Sequence, residues 1–407
     1  MFNHYLYLFK NKTYTKVISE SFWSICTHIV MGALSLLILW LLTSYFSKEE
    51  FGIYIYLTFI VGFFGVFALS GADKELILDI ANKKDGSYMY LFFKKFLFSL
   101  LGSVIFFILA FIWYLKDSFE VSFYLLLFGI IFPFINTFSL YHSFYTGKRA
   151  FFILFKLASV REILFLIVVL FTISFKTSFL FFFVLSVLVF LFFDAISFFR
   201  SLKFVESKKI EKNSLKNSLS FTGINTIPKI LNFVDEIIMG TFLGMTALAS
   251  YRVALLFPGE IKNLSGVISS VLISRFVSNF SKINLIKILF FSFIINVLLV
   301  VFLIFIVGFL IKMIFPSYID IIYLSQIAFI SGIFIFPSTV LNTFLDAKRK
   351  FVDLTKVVLS VSILKFLGFL ILIPWFGLLG AIIVIILDDI IQFIILFYLV
   401  FKNNFKN

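Results

Sequence analysis

The chain has 407 residues, of which 62% are hydrophobic and only 14% charged, and its mean hydropathy is +1.12. Soluble domains carry about 25% charged residues, so a water-soluble globule is excluded and most of the apolar surface must face lipid. The net charge of +14 would suggest nucleic acid in a soluble protein; in a membrane protein it follows from basic loops that orient the helices, and no nucleic-acid partner is expected.

A helix needs about 20 apolar residues to span the hydrocarbon core. On that basis about twelve spans are predicted, at 20–46, 51–72, 90–115, 119–144, 151–174, 177–199, 217–243, 247–273, 284–311, 318–344, 352–373 and 377–401. The first is too long for a signal peptide and no small-residue cleavage site follows it, so it is expected to remain as a helix. The lone cysteine, Cys26, lies within it and excludes an internal disulfide or a cysteine metal cluster. The histidines (His4, His28 and His142) have no metal-ligand spacing, and no cofactor is expected. The 64 phenylalanines read as lipid-facing residues.

The stretch 200–216 (RSLKFVESKKIEKNSLK) is the long polar connector. It divides the chain into an expected N-terminal six-helix lobe, 1–199, and a C-terminal one, 217–407. Lys148-Arg149-Ala150-Phe151, with Leu154 and Lys156, returns 200 residues later as Lys348-Arg349-Lys350-Phe351, with Leu354 and Lys356. Each copy sits between two long apolar stretches, as if one membrane unit were repeated. Internal repeats of this kind mark transporters whose substrate path lies between the halves. The expected fold class is therefore all-α: an integral membrane protein of about twelve transmembrane helices in two pseudo-symmetric six-helix lobes. With both termini placed in the cytoplasm, 27 of the 35 Lys and Arg fall near inner helix ends, 5 near outer ends and 3 within spans, as the positive-inside rule demands.

Helix 7 of this scheme carries Ser218, Thr222, Asn225, Lys229, Asn232 and Glu236 at spacings of 4, 3, 4, 3 and 4. That is one stripe of a helix, and Asp235 sits beside it. A polar stripe cannot face lipid. Pro228 removes a backbone donor and is expected to bend the helix. Ser21, His28, Gly32 and Ser35 on helix 1 match Ser218, Asn225, Lys229 and Asn232 at an offset of 197. Two readings stand: a central aqueous cavity lined by helices 1 and 7, or polar contacts gluing helices together. Further charges at membrane depth are Glu162, Asp194, Glu260, Lys262, Lys365, Asp388 and Asp389. A buried carboxylate can carry a proton during transport. Asp235 and Glu236 are the first candidates for ion coupling, with Glu260 and Asp388 behind them. No catalytic constellation is present.

Several segments resemble one family. Ser47-Lys48-Glu49-Glu50-Phe51-Gly52-Ile53-Tyr54 resembles the LG-x-E-x-FG-x-Y element of polysaccharide exporters. Asn232-Phe233-Val234-Asp235 with Gly240, Leu243-Gly244 and Tyr251-Arg252 resembles their helix 7 run. Ile314-Phe315-Pro316-Ser317-Tyr318 and Trp375-Phe376-Gly377-Leu378-Leu379-Gly380-Ala381 resemble their later turn and glycine motifs. The ordered set is similar to the O-antigen and capsular repeat-unit flippases (Wzx-like), in the polysaccharide transporter family of the multidrug/oligosaccharidyl-lipid/polysaccharide (MOP) exporter superfamily. The chain departs from the pattern where Ile and Val replace the alanine-rich run after Ala381, and where Ala249-Ser250-Tyr251 lacks the usual glycine.

The resemblance implies a MATE/MOP-like fold in the bacterial cytoplasmic membrane. The implied cargo is an undecaprenyl-diphosphate-linked oligosaccharide, carried to the outer leaflet by alternating access driven by a proton or sodium gradient. The bilayer and other polysaccharide-assembly membrane proteins are the implied partners. A diphosphate is anionic, and a cation at membrane depth would attract it; Lys229 is the first candidate, supported by Arg252, Lys262 and Lys365. Asn225, Asn232, Ser21 and His28 would meet glycan hydroxyls. A MATE-like small-molecule exporter would share the fold. A membrane-bound polymerase or glycosyltransferase would need a sizeable outer loop or clustered catalytic carboxylates, and neither is present.

Overall fold

The structure, a computed structural model, describes residues 12–404 apart from 232, 278–281 and 349. A further set of side chains within the helices, Ser21, His28, Asn225 and Lys229 among them, lies outside the described residues. Every regular element described is helical. The helices are α1 (Lys12–Tyr45), α2 (Lys48–Phe64), α3 (Gly71–Ala81), α4 (Ser87–Leu115), α5 (Phe119–Phe138), α6 (Leu140–Gly147) and α7 (Phe151–Phe175). They continue as α8 (Phe179–Ser201), α9 (Ser214–Leu231), α10 (Val234–Phe242), α11 (Met245–Val277), α12 (Lys282–Ile314), α13 (Ile322–Ala347) and α14 (Phe351–Asn404).

Seven segments among the described residues are long and apolar enough to cross a membrane. The last of them, Asp353–Lys402, contains the two spans expected at 352–373 and 377–401. Gly377 divides it, at φ 56° and ψ −134°, three residues after Pro374; that backbone conformation is open to glycine and strained for any residue with a Cβ. The expectation of about twelve spans is met in part. The span expected at 51–72 ends at Phe64 and resumes as α3 at Gly71. The span expected at 217–243 is broken between Leu231 and Val234. Helix α9 runs on through Pro228, so the interruption comes one turn later than the proline alone suggests.

The chain forms two compact units: Met1–Tyr45 with Ile60–Thr226, and Phe46–Phe59 with Ile227–Asn407. In the first, α4 packs along α5 and α1 along α7. The core holds Tyr88, Leu91, Phe144 and Phe198, with the rings of Tyr88 and Phe144 stacked 4.7 Å apart. The connector after α8 belongs to this unit and is tied to it residue by residue. Asp85 accepts from the Glu206 amide at 2.8 Å and from Lys148 Nζ at 2.8 Å. Ser87 Oγ accepts from the Glu211 amide at 3.0 Å, and Lys84 pairs with Glu211. The Ser214 hydroxyl donates to Asp79, Asn217 donates to Glu75, each at 2.8 Å, and the Gly71 amide donates to Thr222 at 2.9 Å. Loops that the positive-inside count assigns to one side of the membrane are thus joined by ion pairs.

In the second unit α13 lies against α11, α12 and α14. Its core centres on Phe276, Leu341, Phe344 and Leu396. Gly52 of α2 lets that helix meet the backbone of Met245, and Gly240 accommodates the Tyr56 ring. Lys48 bridges to Asp320 at 2.9 Å.

The 200-residue echo is structural. The amides of Lys148 and Lys348 close the ends of α6 and α13 on Phe144 and Phe344 at 3.0 and 3.1 Å. Ala150 and Lys350 then bond back to Tyr145 and Leu345 at 2.9 and 3.0 Å, the wider loop of a Schellman-type end. The two ammonium groups lie over the rings of Phe144 and Phe344, 5.8 and 5.9 Å from their centres.

Candidate functional site

The break before α10 sets the site. It places Asp235 and Glu236 in the first turn of α10, where the helix N-terminus favours negative charge. Both are buried, with 6% and 7% of their surface exposed. Tyr251, fully buried on α11, donates its hydroxyl to Asp235 Oδ2 at 3.2 Å. Lys365 of α14 reaches the same oxygen at 3.4 Å. Asp235 and Glu236 are neighbours in that turn, and their carboxyls act on each other electrostatically. Asp388, further along α14, acts electrostatically on Lys365.

The hydrogen bonding of this cluster is incomplete among the described residues. Among the described residues, Lys365 is the cation that pairs with the cluster, Arg252 and Lys262 act on Glu236 and Asp388 without an ion pair to either, and Asp235 Oδ1, Glu236 Oε2 and Asp388 Oδ1 are buried without hydrogen-bond partners. Removing a carboxylate from water costs several kcal/mol unless it is paired. Two adjacent buried carboxyls, one of them bonded to a lysine, are chemically able to take up a proton or a small cation.

The other sequence-predicted residues fall in different places. Arg252 is exposed on α11, with its guanidinium 5.6 Å from the centre of the Phe59 ring. It is an electrostatic neighbour of Glu236. Lys262 is exposed on the same helix and acts on Asp388 and Asp389. Glu260 is exposed on the same helix, two residues beyond Pro258. Lys365 is engaged by a carboxylate. The side chains of Ser21, His28, Asn225, Lys229 and Asn232 lie outside the described residues. The first part of the polar stripe follows the glue reading. Ser218 is buried and bonds back to Ser214 at 2.7 Å, and the backbone of Ser218 and Thr222 lies hard against Gly71 of α3. Tyr251 is a site residue that the periodicity argument did not single out. Its signal was its place in the Tyr251-Arg252 motif, not any helical spacing to Asp235.

The polysaccharide biosynthesis protein family model matches residues 17–280, well over half of the chain. The chain belongs to this family. No curated protein sequence matches it. Among solved structures, this family member resembles one described as lipid II flippase MurJ in an inward closed conformation. The TM-score is 0.71 at 16% identity, covering 93% of this chain and 87% of that one. It also resembles an inward-facing multidrug resistance MATE family transporter of the MOP superfamily (TM-score 0.67, 12% identity, 90% and 93% covered). A third is a MOP superfamily transporter from Pyrococcus furiosus (TM-score 0.58, 11% identity, 95% and 96% covered). The family member therefore has the fold that these MOP superfamily transporters share.

Proposed function

We propose that this chain is a flippase that carries an undecaprenyl-diphosphate-linked oligosaccharide repeat unit from the inner to the outer leaflet of the bacterial cytoplasmic membrane. The observation that carries the reading is the family match across residues 17–280 in a chain with the MOP fold. A polysaccharide family with a transporter fold needs cargo that is made on one side of a membrane and used on the other, and a lipid-linked glycan is such a cargo. Both termini lie in the cytoplasm, the orientation favoured by the basic loops. Transport proceeds by alternating access. The Asp235–Glu236 pair couples it to a proton or sodium gradient, since a group that gains and loses a cation in each cycle can bias the two states. Lys229, Arg252 and Lys262 are the cations left for the diphosphate; Lys365 serves the acid pair.

The test uses proteoliposomes containing the full chain and a labelled undecaprenyl-diphosphate oligosaccharide. Exposure of the label to an external glycan-cleaving enzyme is followed with and without a proton or sodium gradient. Protein-dependent, gradient-sensitive exposure is expected. Folded protein that exposes no glycan but extrudes small cations would favour the MATE-like exporter reading.

A further inference from the structure

A basic cavity in the first unit belongs to no part of the proposed transport site. Where α8 ends, Ser197, Arg200 and Phe204 lie at helical spacing and face Tyr145 of α6 and Ile153, Lys156 and Leu157 of α7 around a recess of about 180 Å³. A wider hollow of about 690 Å³ adjoins it, lined by Ile196, Phe199, Arg200, Lys203 and Phe204. The two share Arg200 and Phe204. We infer that this recess holds the phosphate of a resident anionic phospholipid, with its acyl chain lying along Ile196 and Phe199.

Charge and exposure both select that occupant. Lys156, Arg200 and Lys203 form no ion pair among the described residues. The carboxylates of the neighbourhood are engaged elsewhere, Asp194 with Arg161, and Asp85 and Glu206 with Lys148. Lys156 lies 4.3 Å from the centre of the Phe152 ring, which positions the ammonium group without neutralising it. Three cations around one recess suit a phosphate, and Arg is the residue best shaped for it. Directly beside them Ile196 and Phe199 are 66% and 59% exposed. Lipid covers such an apolar wall in a membrane protein, so the anion that meets the cations directly beside it is one already joined to an acyl chain, a phospholipid headgroup. Basic pockets between membrane helices bind anionic headgroups in this way. On the topology proposed above the recess opens to the inner leaflet; only that assignment rests on the proposed topology.

Native mass spectrometry of the full-length protein, exchanged into detergent with phosphatidylglycerol or phosphatidylcholine, tests the assignment. Retention of phosphatidylglycerol over phosphatidylcholine is expected. It should fall at least about tenfold in K156Q/R200Q/K203Q, since each basic residue near a membrane surface contributes appreciably to anionic-lipid binding. It should hold in K83Q/K209Q/K212Q, which removes equal charge from the same unit. Leu157→Trp fills the enclosed part without changing charge and should also displace the lipid; it decides the matter if the triple variant does not fold. Equal losses in both triple variants, equal retention of the two lipids, or full retention in Leu157→Trp would overturn the proposal. Displacement by undecaprenyl diphosphate at equimolar concentration would also overturn it, giving the recess to the cargo. Lipid retention is scored without flipping, so failure here and failure of the flippase reading are separate results.

Discussion

The two units handle buried charge differently. In the first, three acids each have a cation of their own: Lys95 with Asp73 at 2.7 Å, Lys148 with Asp85 at 2.8 Å, and Arg161 with Asp194 at 3.6 Å, although Asp85 keeps one buried oxygen without a partner. Glu75 and Asp79 are served by the neutral donors Asn217 and Ser214. In the second, Lys365 bonds Asp235 alone, and Glu236 and Asp388 keep a buried oxygen without a partner. An acid held by its own cation favours one arrangement. An acid pair with buried oxygens left unpartnered among the described residues is a place where a cation can bind and leave, which is what the proposed coupling to a gradient needs.

The largest effect should come from removing the cation that holds the second cluster together. Lys365→Met leaves Asp235 and Glu236 buried side by side, and breaking a buried pair from one side costs about 3–5 kcal/mol. The thermal midpoint in detergent should drop sharply, and Asp235→Asn in the same background should recover most of it. A single variant as stable as the parent would mean that water already solvates the pair. Glu236→Gln comes next. It should leave stability nearly intact but remove the response of flipping to an imposed gradient. One charge moved across 100 mV is worth about 2.3 kcal/mol, so roughly a fiftyfold leaflet bias is at stake. Undiminished gradient dependence in proteoliposomes would remove Glu236 from coupling.

The same comparison predicts the reverse in the first unit. Lys95 is 3% exposed but Asp73 is 40% exposed, so water can take over the freed carboxylate. Lys95→Met should cost about 1–2 kcal/mol, the value of a charge-assisted hydrogen bond. Adding Asp73→Asn should restore much of that loss, and gradient dependence should be untouched. If the double variant lost coupling, the division of labour between the units would fail.

Much of the architecture was legible in the sequence because lipid imposes a simple rule: backbone polar groups must be satisfied within a helix and the helix must be long. Hydropathy alone therefore finds α4, α8 and α12, and the repeat at Lys148 and Lys348 marks equivalent helix ends. The site was legible by type but not by geometry. Asp235 and Glu236 stand out as acids in an apolar run. The periodicity argument assumed one unbroken helix from Ser218 to Glu236, however, and the chain breaks between Leu231 and Val234. That break separates Ser218 and Thr222, packed on α3, from the acids facing Tyr251 and Lys365. The pairing of Asp235 with Lys365, 130 residues away, leaves no local trace. Nor does composition show that the polar connector is docked: the bonds from Asp85, Ser87 and Asp79 depend on a partner segment over 100 residues distant.

The smallest effect probes that docking. Glu75 lies on α3, beyond the second expected span, and accepts from Asn217 at 2.8 Å. Burial holds its carboxyl above the usual 4.5, and Asp79 one turn on adds to the rise against the opposing pull of Asn217 and Lys84. A carboxyl raised in the folded state stabilises that state below 4.5, and the contribution is lost as pH rises through the folded value. At neutral pH the ionised Glu75 is thus a mild liability beside Asp79. Glu75→Gln keeps the acceptor for Asn217 and removes the charge. Its thermal midpoint should match or slightly exceed the parent's at pH 7.5, by under about 1 kcal/mol, while the two converge at pH 4. Parallel curves across that range would show that the charge on Glu75 is already met by solvent, and that the connector is held by Asp79, Asp85 and Ser87 without regard to its ionisation.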